Sequence, residues 1–142
     1  MLSFIASLAF GIQFNIKFKH IIAAGFGAVI CQLVYMIIIN TGASEALSCF
    51  FAAVTISLYS EILARRLRVP VNMYLVVGII PLVPGGYIYN TMITLIGGNI
   101  DEFSRQFVDT ISIAGAIAMG VFAVSSIARI TSLKLKKLKG NL

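Results

Sequence analysis

The sequence predicts an all-α, polytopic transmembrane helical bundle of about five spans, and three observations carry that prediction. Apolar residues make up 59% of the chain and charged residues 11%, with a mean hydropathy of +0.99, whereas a soluble domain is roughly 25% charged. A soluble fold of 142 residues cannot cover that much apolar surface with so few charges. The Lys and Arg residues, net charge +6, stand at the ends of apolar runs rather than along a face. One apolar run, Val71 to Ile96, is interrupted near its middle by Pro81-Leu82-Val83-Pro84-Gly85-Gly86, so the fourth span is expected to be broken at Pro81–Gly86.

The elements follow in order as one integral membrane domain, 1–142, with no soluble module. Residues 1–16 are apolar apart from Ser3, Ser7, Gln13 and Asn15. A signal peptide needs cations before its apolar core and a small-residue cleavage site after it. Here Lys17 and Lys19 follow the run, so it reads as a first span, slightly short. Residues 21–39 form the second span, with Gln32 as its one strongly polar interior residue, and Asn40-Thr41-Gly42 reads as a turn. The third, 46–63, closes on Glu61 and the cluster Arg65, Arg66 and Arg68, with Pro70 at the boundary. The broken fourth span, 71–96, ends at Gly97-Gly98-Asn99. Asp101, Glu102, Arg105 and Asp109 form a polar connection to the fifth span, 110–130, and a basic tail, 131–142, follows.

Cations in the connections alternate along the chain. Lys17 and Lys19 flank the first, none lies in 40–45, three lie in 65–68, Arg105 stands among three acids in 97–109, and five run from Arg129 to Lys139. Five helices with positively charged cytoplasmic loops give that pattern. It puts the N-terminus outside, the tail in the cytoplasm and the chain in the cell membrane as a multi-pass protein. The tail is then an anchor on anionic lipid of the bilayer, and nucleic acid is not an expected partner. Cys31 and Cys49 lie inside apolar runs without partners at metal-ligand spacing, so they read as packed or lipid-facing small residues. Neither metal nor cofactor is expected.

Small residues recur at four-residue spacing as Ser112, Ala116 and Gly120 on the fifth span and as Ala24 and Ala28 on the second, beside Gly25 and Gly27. Such residues let helix backbones approach closely, within one chain or between subunits.

Each proline in the break removes a backbone donor and clashes with the preceding turn. Ile80 and Val83, as pre-proline residues, are pushed toward extended geometry, and the two glycines admit almost any backbone angle. In lipid such a break survives only inside protein or beside a water-filled cavity, which at membrane depth is the usual mark of a transport site. Where the helix resumes after Gly85-Gly86, its first N–H groups lack acceptors and its dipole is positive, a setting that suits a carboxylate. Tyr87 shares a face with Asn90 and Thr91, and Asn90 with Thr94, so hydroxyl and amide partners for a small zwitterion follow the break. The candidate substrate-binding residues are therefore Pro81, Pro84, Gly85, Gly86, Tyr87, Asn90, Thr91 and Thr94. The plain alternative is a kink filled by neighbouring helices.

Glu61 is a candidate coupling carboxylate if it lies in the hydrocarbon, although Arg65 four residues on offers an ordinary helix-surface ion pair. His20, beside Lys19, reads as a solvated interface residue. The single histidine is separated by a predicted span from Glu45 and Asp109, no nucleophile–base constellation forms, and no enzyme is expected. No Lys-Ser/Thr follows Gly85-Gly86, so these glycines are not a phosphate loop. The broken-helix motif does not repeat in the chain, whereas many secondary transporters build their site between two related halves. A partner carrying the other half would complete it.

Ser60-Glu61-Ile62-Leu63-Ala64-Arg65-Arg66, Val69-Pro70-Val71 and Gly78-Ile79-Ile80-Pro81-Leu82-Val83-Pro84-Gly85-Gly86 with Tyr89 resemble the threonine/serine exporter family, and more closely the smaller component of its split, two-polypeptide form. Leu8 to Ile12, Phe14-Asn15 and Gly115 to Gly120 fit the same pattern. The resemblance implies a cytoplasmic-membrane exporter of small amino acids, or in some members of dicarboxylates such as succinate. It implies a larger membrane subunit of the same exporter as partner and the proton-motive force as drive. Its functional residues carry over only to the Pro-Gly block, Glu61 and Arg65. The sequence thus reads as an export-permease subunit, with a non-transporting assembly subunit and a channel as rival readings.

Overall fold

The structure is a computed structural model that describes residues 9–13 and 18–139, and every regular element among them is helical. After a short helical stretch at 9–13 come α1 (Phe18–Asn40), α2 (Glu45–Leu67), α3 (Asn72–Ile79), a 3₁₀ turn (Ile80–Leu82), α4 (Gly85–Ile96) and α5 (Ile100–Lys139). Three of these are long and apolar enough to cross a bilayer, over His20–Asn40, Glu45–Leu67 and Ile100–Thr131. Asn72–Leu82 and Gly85–Ile96 together make a fourth candidate, one span bent by 50°. The expected break is found where the prolines and glycines put it. The expected first span, 1–16, lies mostly outside the described residues.

α2 is the central helix, packed against α1, α3 and α5. It starts where Ser44 accepts the Leu47 N–H on its Oγ at 3.4 Å, a side-chain N-cap. It ends where Arg68 turns left-handed at φ 54° and the Val69 N–H returns to the Ala64 carbonyl at 3.1 Å, just before Pro70. Contact between α1, α2 and α3 is close because small residues meet there. Ala24, Ala28, Cys31, Ala52 and Ala53 are fully buried, and Ile56 fills the hollow left by two glycines. A Cβ at Gly27 would come within 2.7 Å of the Tyr59 ring and 2.9 Å of Ile56 Cδ1, and one at Gly78 would run into Ile56. Tyr59 ties the same interface by donating its hydroxyl to the Ala23 carbonyl at 2.7 Å.

α5 runs parallel to α2, with Gly120 against Phe50 and Ala53 and with Arg65 donating to the Ala128 carbonyl at 2.8 Å. Ile113 therefore stands level with the start of α2, and the first turns of α5 run on past it. From Ile100 to Thr131 the helix is about 48 Å long, more than the roughly 30 Å of hydrocarbon, so it cannot lie wholly in the bilayer core. The part beside α2 coincides with the expected span 110–130. The expected polar connection is itself helical after Gly98 (φ 73°), because Asn99 Oδ1 accepts the Glu102 N–H at 3.3 Å and Asp101 and Glu102 suit a helix start. Of the small residues on α5, Gly120 packs on α2 whereas Ser112 is exposed, so the packed stripe is Ile113, Gly120 and Val124.

α3 packs on α1 and α2, but α4 packs on α5. The bend thus hands the chain from one side of the central helix to the other. Thr91 Oγ1 lies 3.2 Å from Thr110 Oγ1, and Thr94 Oγ1 lies 3.5 Å from Gln106 Oε1, so α4 runs beside the turns of α5 that precede Ile113.

Candidate functional site

The break is built from three unlike steps. Pro81 is the second residue of the 3₁₀ turn Ile80–Leu82, which closes with the Val83 N–H on the Ile80 carbonyl at 3.2 Å. Val83 is extended (φ −60°, ψ 125°), as a residue before proline should be. Ile80 is not: it stays helical at φ −50°, ψ −43°. Proline fits the first turn of a helical segment, where its lost donor is not needed, and the packing of α3 outweighs the local preference. Pro84 (φ −76°, ψ 55°) then makes an inverse γ-turn, with the Gly85 N–H on the Val83 carbonyl at 2.7 Å, and α4 begins. A Cβ at Gly85 or Gly86 would meet nothing within 4 Å. Their backbone therefore borders open space.

That space is a cavity of 240 Å³ lined by all six residues of the break, by Gln32 and Tyr35 of α1, Glu45 and Cys49 of α2, Tyr87 of α4 and Ile113 of α5. Gln32 and Tyr35 stand five to eight residues before the end of α1, about 8–12 Å in from its last residue. The cavity thus opens nearer one end of the bundle than its middle. Its charged group is Glu45. The Tyr35 hydroxyl donates to Oε1 at 3.1 Å and the Tyr87 hydroxyl donates to Oε2. Among residues 20–131, whose side chains are described, no Arg pairs with it, and the ion pair found there joins Arg65 to Glu61. Glu45 and Tyr87 also line a second hollow of 340 Å³ with Ser44, Ala46, Asp109, Ser112 and Ile113. Glu45, Tyr87 and Ile113 are common to both linings and form the partition between the two spaces.

Of the residues picked from sequence, Pro81, Pro84, Gly85, Gly86 and Tyr87 border the cavity. Asn90 does not: it is on an exposed face of α4. Thr91 is buried between helices, donating to the Tyr87 carbonyl at 2.7 Å and facing Thr110, and Thr94 donates to the Thr91 carbonyl at 2.9 Å and faces Gln106. Both serve the α4–α5 contact. Glu61 is paired with Arg65 at 3.2 Å, sixteen residues or about 24 Å along α2 from Glu45, so it does not share the cavity. His20 is not merely solvated, because its Nδ1 lies 2.5 Å from the hydroxyl of Tyr74, which is fully buried. Sequence reasoning passed over Glu45, Tyr35 and Cys49. The available signal was Gln32, a lone amide in an apolar run, with Tyr35 one turn further on.

A family model described as "Threonine/Serine exporter, ThrE" matches residues 1–127. Comparison with curated proteins and with solved structures gave no match.

Proposed function

We propose, for a chain that belongs to the threonine/serine exporter family, that it is a membrane subunit of a secondary exporter of small amino acids, threonine and serine among them. A larger membrane subunit of the same exporter completes it. The observation that carries this reading is the 50° break whose two glycines face a cavity with a carboxylate in its wall. Irregular backbone is tolerated at such a place when it lines an aqueous space, and a polar hollow at a broken helix is where a transported solute is held. The path runs past Pro81, Pro84, Gly85, Gly86 and Tyr87. It is controlled at the Glu45–Tyr87 partition.

The outer side of α5 supports a second subunit. Phe107, Val108, Ile111, Met119, Phe122, Ile127 and Ile130 are exposed on it, and Ala114, Gly115 and Ala118 are exposed among them, with nothing within 4 Å of a Cβ at Gly115. Large apolar groups are at home against lipid, but small ones between them favour the close approach of another helix. The alternation of basic connections supports a cell-membrane protein with its N-terminus outside and its C-terminus in the cytoplasm.

The test is retention. Cells carrying the native partner are fed threonine- or serine-containing peptides, or a succinate precursor, with and without this chain. The expected result is several-fold higher internal threonine and serine without it, reversed on re-expression. A rise in succinate alone would move the substrate to dicarboxylates. Unchanged retention of every compound, with the partner present in the membrane, contradicts export.

A further inference from the structure

We propose that Glu45 is the ammonium-binding group of the cavity, the residue that meets the positive end of a small amino acid as it passes the break. This rests on the exporter reading and adds to it a named residue and the part of the substrate it holds.

Three observations converge on Glu45. It is the first residue of α2 and lines both the 240 Å³ cavity and the neighbouring 340 Å³ hollow, so it belongs to the wall of each. Two tyrosyl hydroxyls from different helices, Tyr35 of α1 and Tyr87 of α4, hold it in place. These donors orient a carboxylate without cancelling its charge. No basic side chain among the described residues does so either: Arg65, the cation found in an ion pair, is engaged by Glu61 at the other end of α2. Among the described side chains this half-buried carboxylate has no cationic partner, and a carboxylate in a membrane protein is costly unless a cation meets it.

The visiting cation is defined by what remains free. Each carboxylate oxygen accepts one hydroxyl, and a carboxylate has about four acceptor sites, so positions are left for the N–H donors of a primary ammonium. The amide oxygen of Gln32 and the hydroxyl oxygens of Tyr35 and Tyr87 are further acceptors in the cavity wall. A volume of 240 Å³ is that of about eight waters, room enough for a small amino acid. Asp109, the carboxylate across the partition, lines only the second hollow.

The experiment measures labelled L-threonine binding to membranes containing the full chain with its native partner, in excess over membranes lacking the chain. L-threonine methyl ester keeps the ammonium and N-acetyl-L-threonine lacks it. The ester is expected to compete within tenfold of threonine itself and the N-acetyl compound at least a hundredfold more weakly. Glu45→Gln is expected to weaken threonine binding at least tenfold, and Glu45→Asp, which keeps the charge on a shorter arm, to weaken it less. If Glu45→Gln is not inserted, the analogue ranking on the unaltered protein decides. Equal competition by the two analogues, displacement by sodium but not by the ester, or unchanged binding in an inserted Glu45→Gln protein overturns the assignment. If deleting the chain leaves threonine efflux unchanged, it is the exporter reading that fails. If deletion blocks efflux while Glu45→Gln binds normally, only the role of Glu45 fails.

Discussion

The Tyr87 hydroxyl donates to the carboxylate of Glu45, joining the first turn of α4 to the first turn of α2 in the wall that the cavity shares with the second hollow. α4 otherwise leans on α5, so this bond ties the half-helix after the break back to the central helix. A hydrogen bond to a charged group contributes about 1.5–3 kcal/mol, roughly tenfold to a hundredfold in a local opening equilibrium. Tyr87→Phe should therefore speed amide exchange over residues 85–91 by about that factor. Tyr35→Phe, which removes the donor from α1, should leave α4 exchange nearly unchanged. Exchange measured by mass spectrometry on the full chain in nanodiscs checks this, and equal effects of the two changes would contradict it.

Two glycines on α5 should behave in opposite ways. A Cβ at Gly120 would come within 2.8 Å of the Phe50 carbonyl oxygen, a backbone atom that cannot swing aside, whereas one at Gly115 meets open space. Gly120→Ala is expected to lower the stability of the chain by about 1–3 kcal/mol through overpacking. Gly115→Ala should leave the isolated chain at least as stable as before, since alanine favours a helix interior, and weaken co-purification of the proposed larger subunit. Thermal unfolding in detergent and quantitative pull-down separate the two effects.

Much of this architecture was legible because its signals are local. Pro81, Pro84, Gly85 and Gly86 each act on their own backbone, and they marked the break directly. The helix-surface pair of Glu61 and Arg65 was likewise visible from a spacing of four. Glu45 was not, because directly after Ser44 it reads as an ordinary acidic residue in a first turn. Its partners lie 10 residues before it and 42 after it, and only tertiary packing brings them together. The spacing of Asn90, Thr91 and Thr94 described their helix face correctly, but nothing local says that α5 covers the threonines and leaves Asn90 exposed. His20 was misread for the same reason, since Tyr74 stands 54 residues away.

Arg65 should matter more to the fold than its ion partner. Its Nε donates to Glu61 at 3.2 Å, and its Nη2 also donates to the Ala128 carbonyl at 2.8 Å, linking α2 to α5. An exposed pair at this spacing contributes about 0.3–0.5 kcal/mol, whereas a charged donor on a carbonyl contributes about 1.5–3 kcal/mol. Glu61→Gln is expected to change stability by less than about 0.5 kcal/mol and to leave efflux intact, and Arg65→Ala to cost visibly more. Unfolding of both single variants and the double variant measures the coupling, and abolished efflux in a stable Glu61→Gln protein would assign Glu61 a transport role instead.

Orientation can be read by thiol labelling. In a background with Cys31 and Cys49 replaced by alanine, Ala43→Cys in the α1–α2 turn should react in intact cells with a membrane-impermeant reagent. A cysteine at Asn141 should react only after the membrane is opened. The reverse pattern would invert the proposed topology.

The most direct test of the central claim is the initial rate of threonine efflux, per assembled complex in the membrane, for Gly85→Val and Pro84→Ala. Nothing lies within 4 Å of a Cβ at Gly85, which lines the cavity, so the new side chain clashes with no neighbour of the core. The prediction is normal abundance of both subunits with efflux reduced at least tenfold. Unchanged efflux at normal abundance would take the cavity off the transport path, and loss of the larger subunit from the membrane would make this chain an assembly factor.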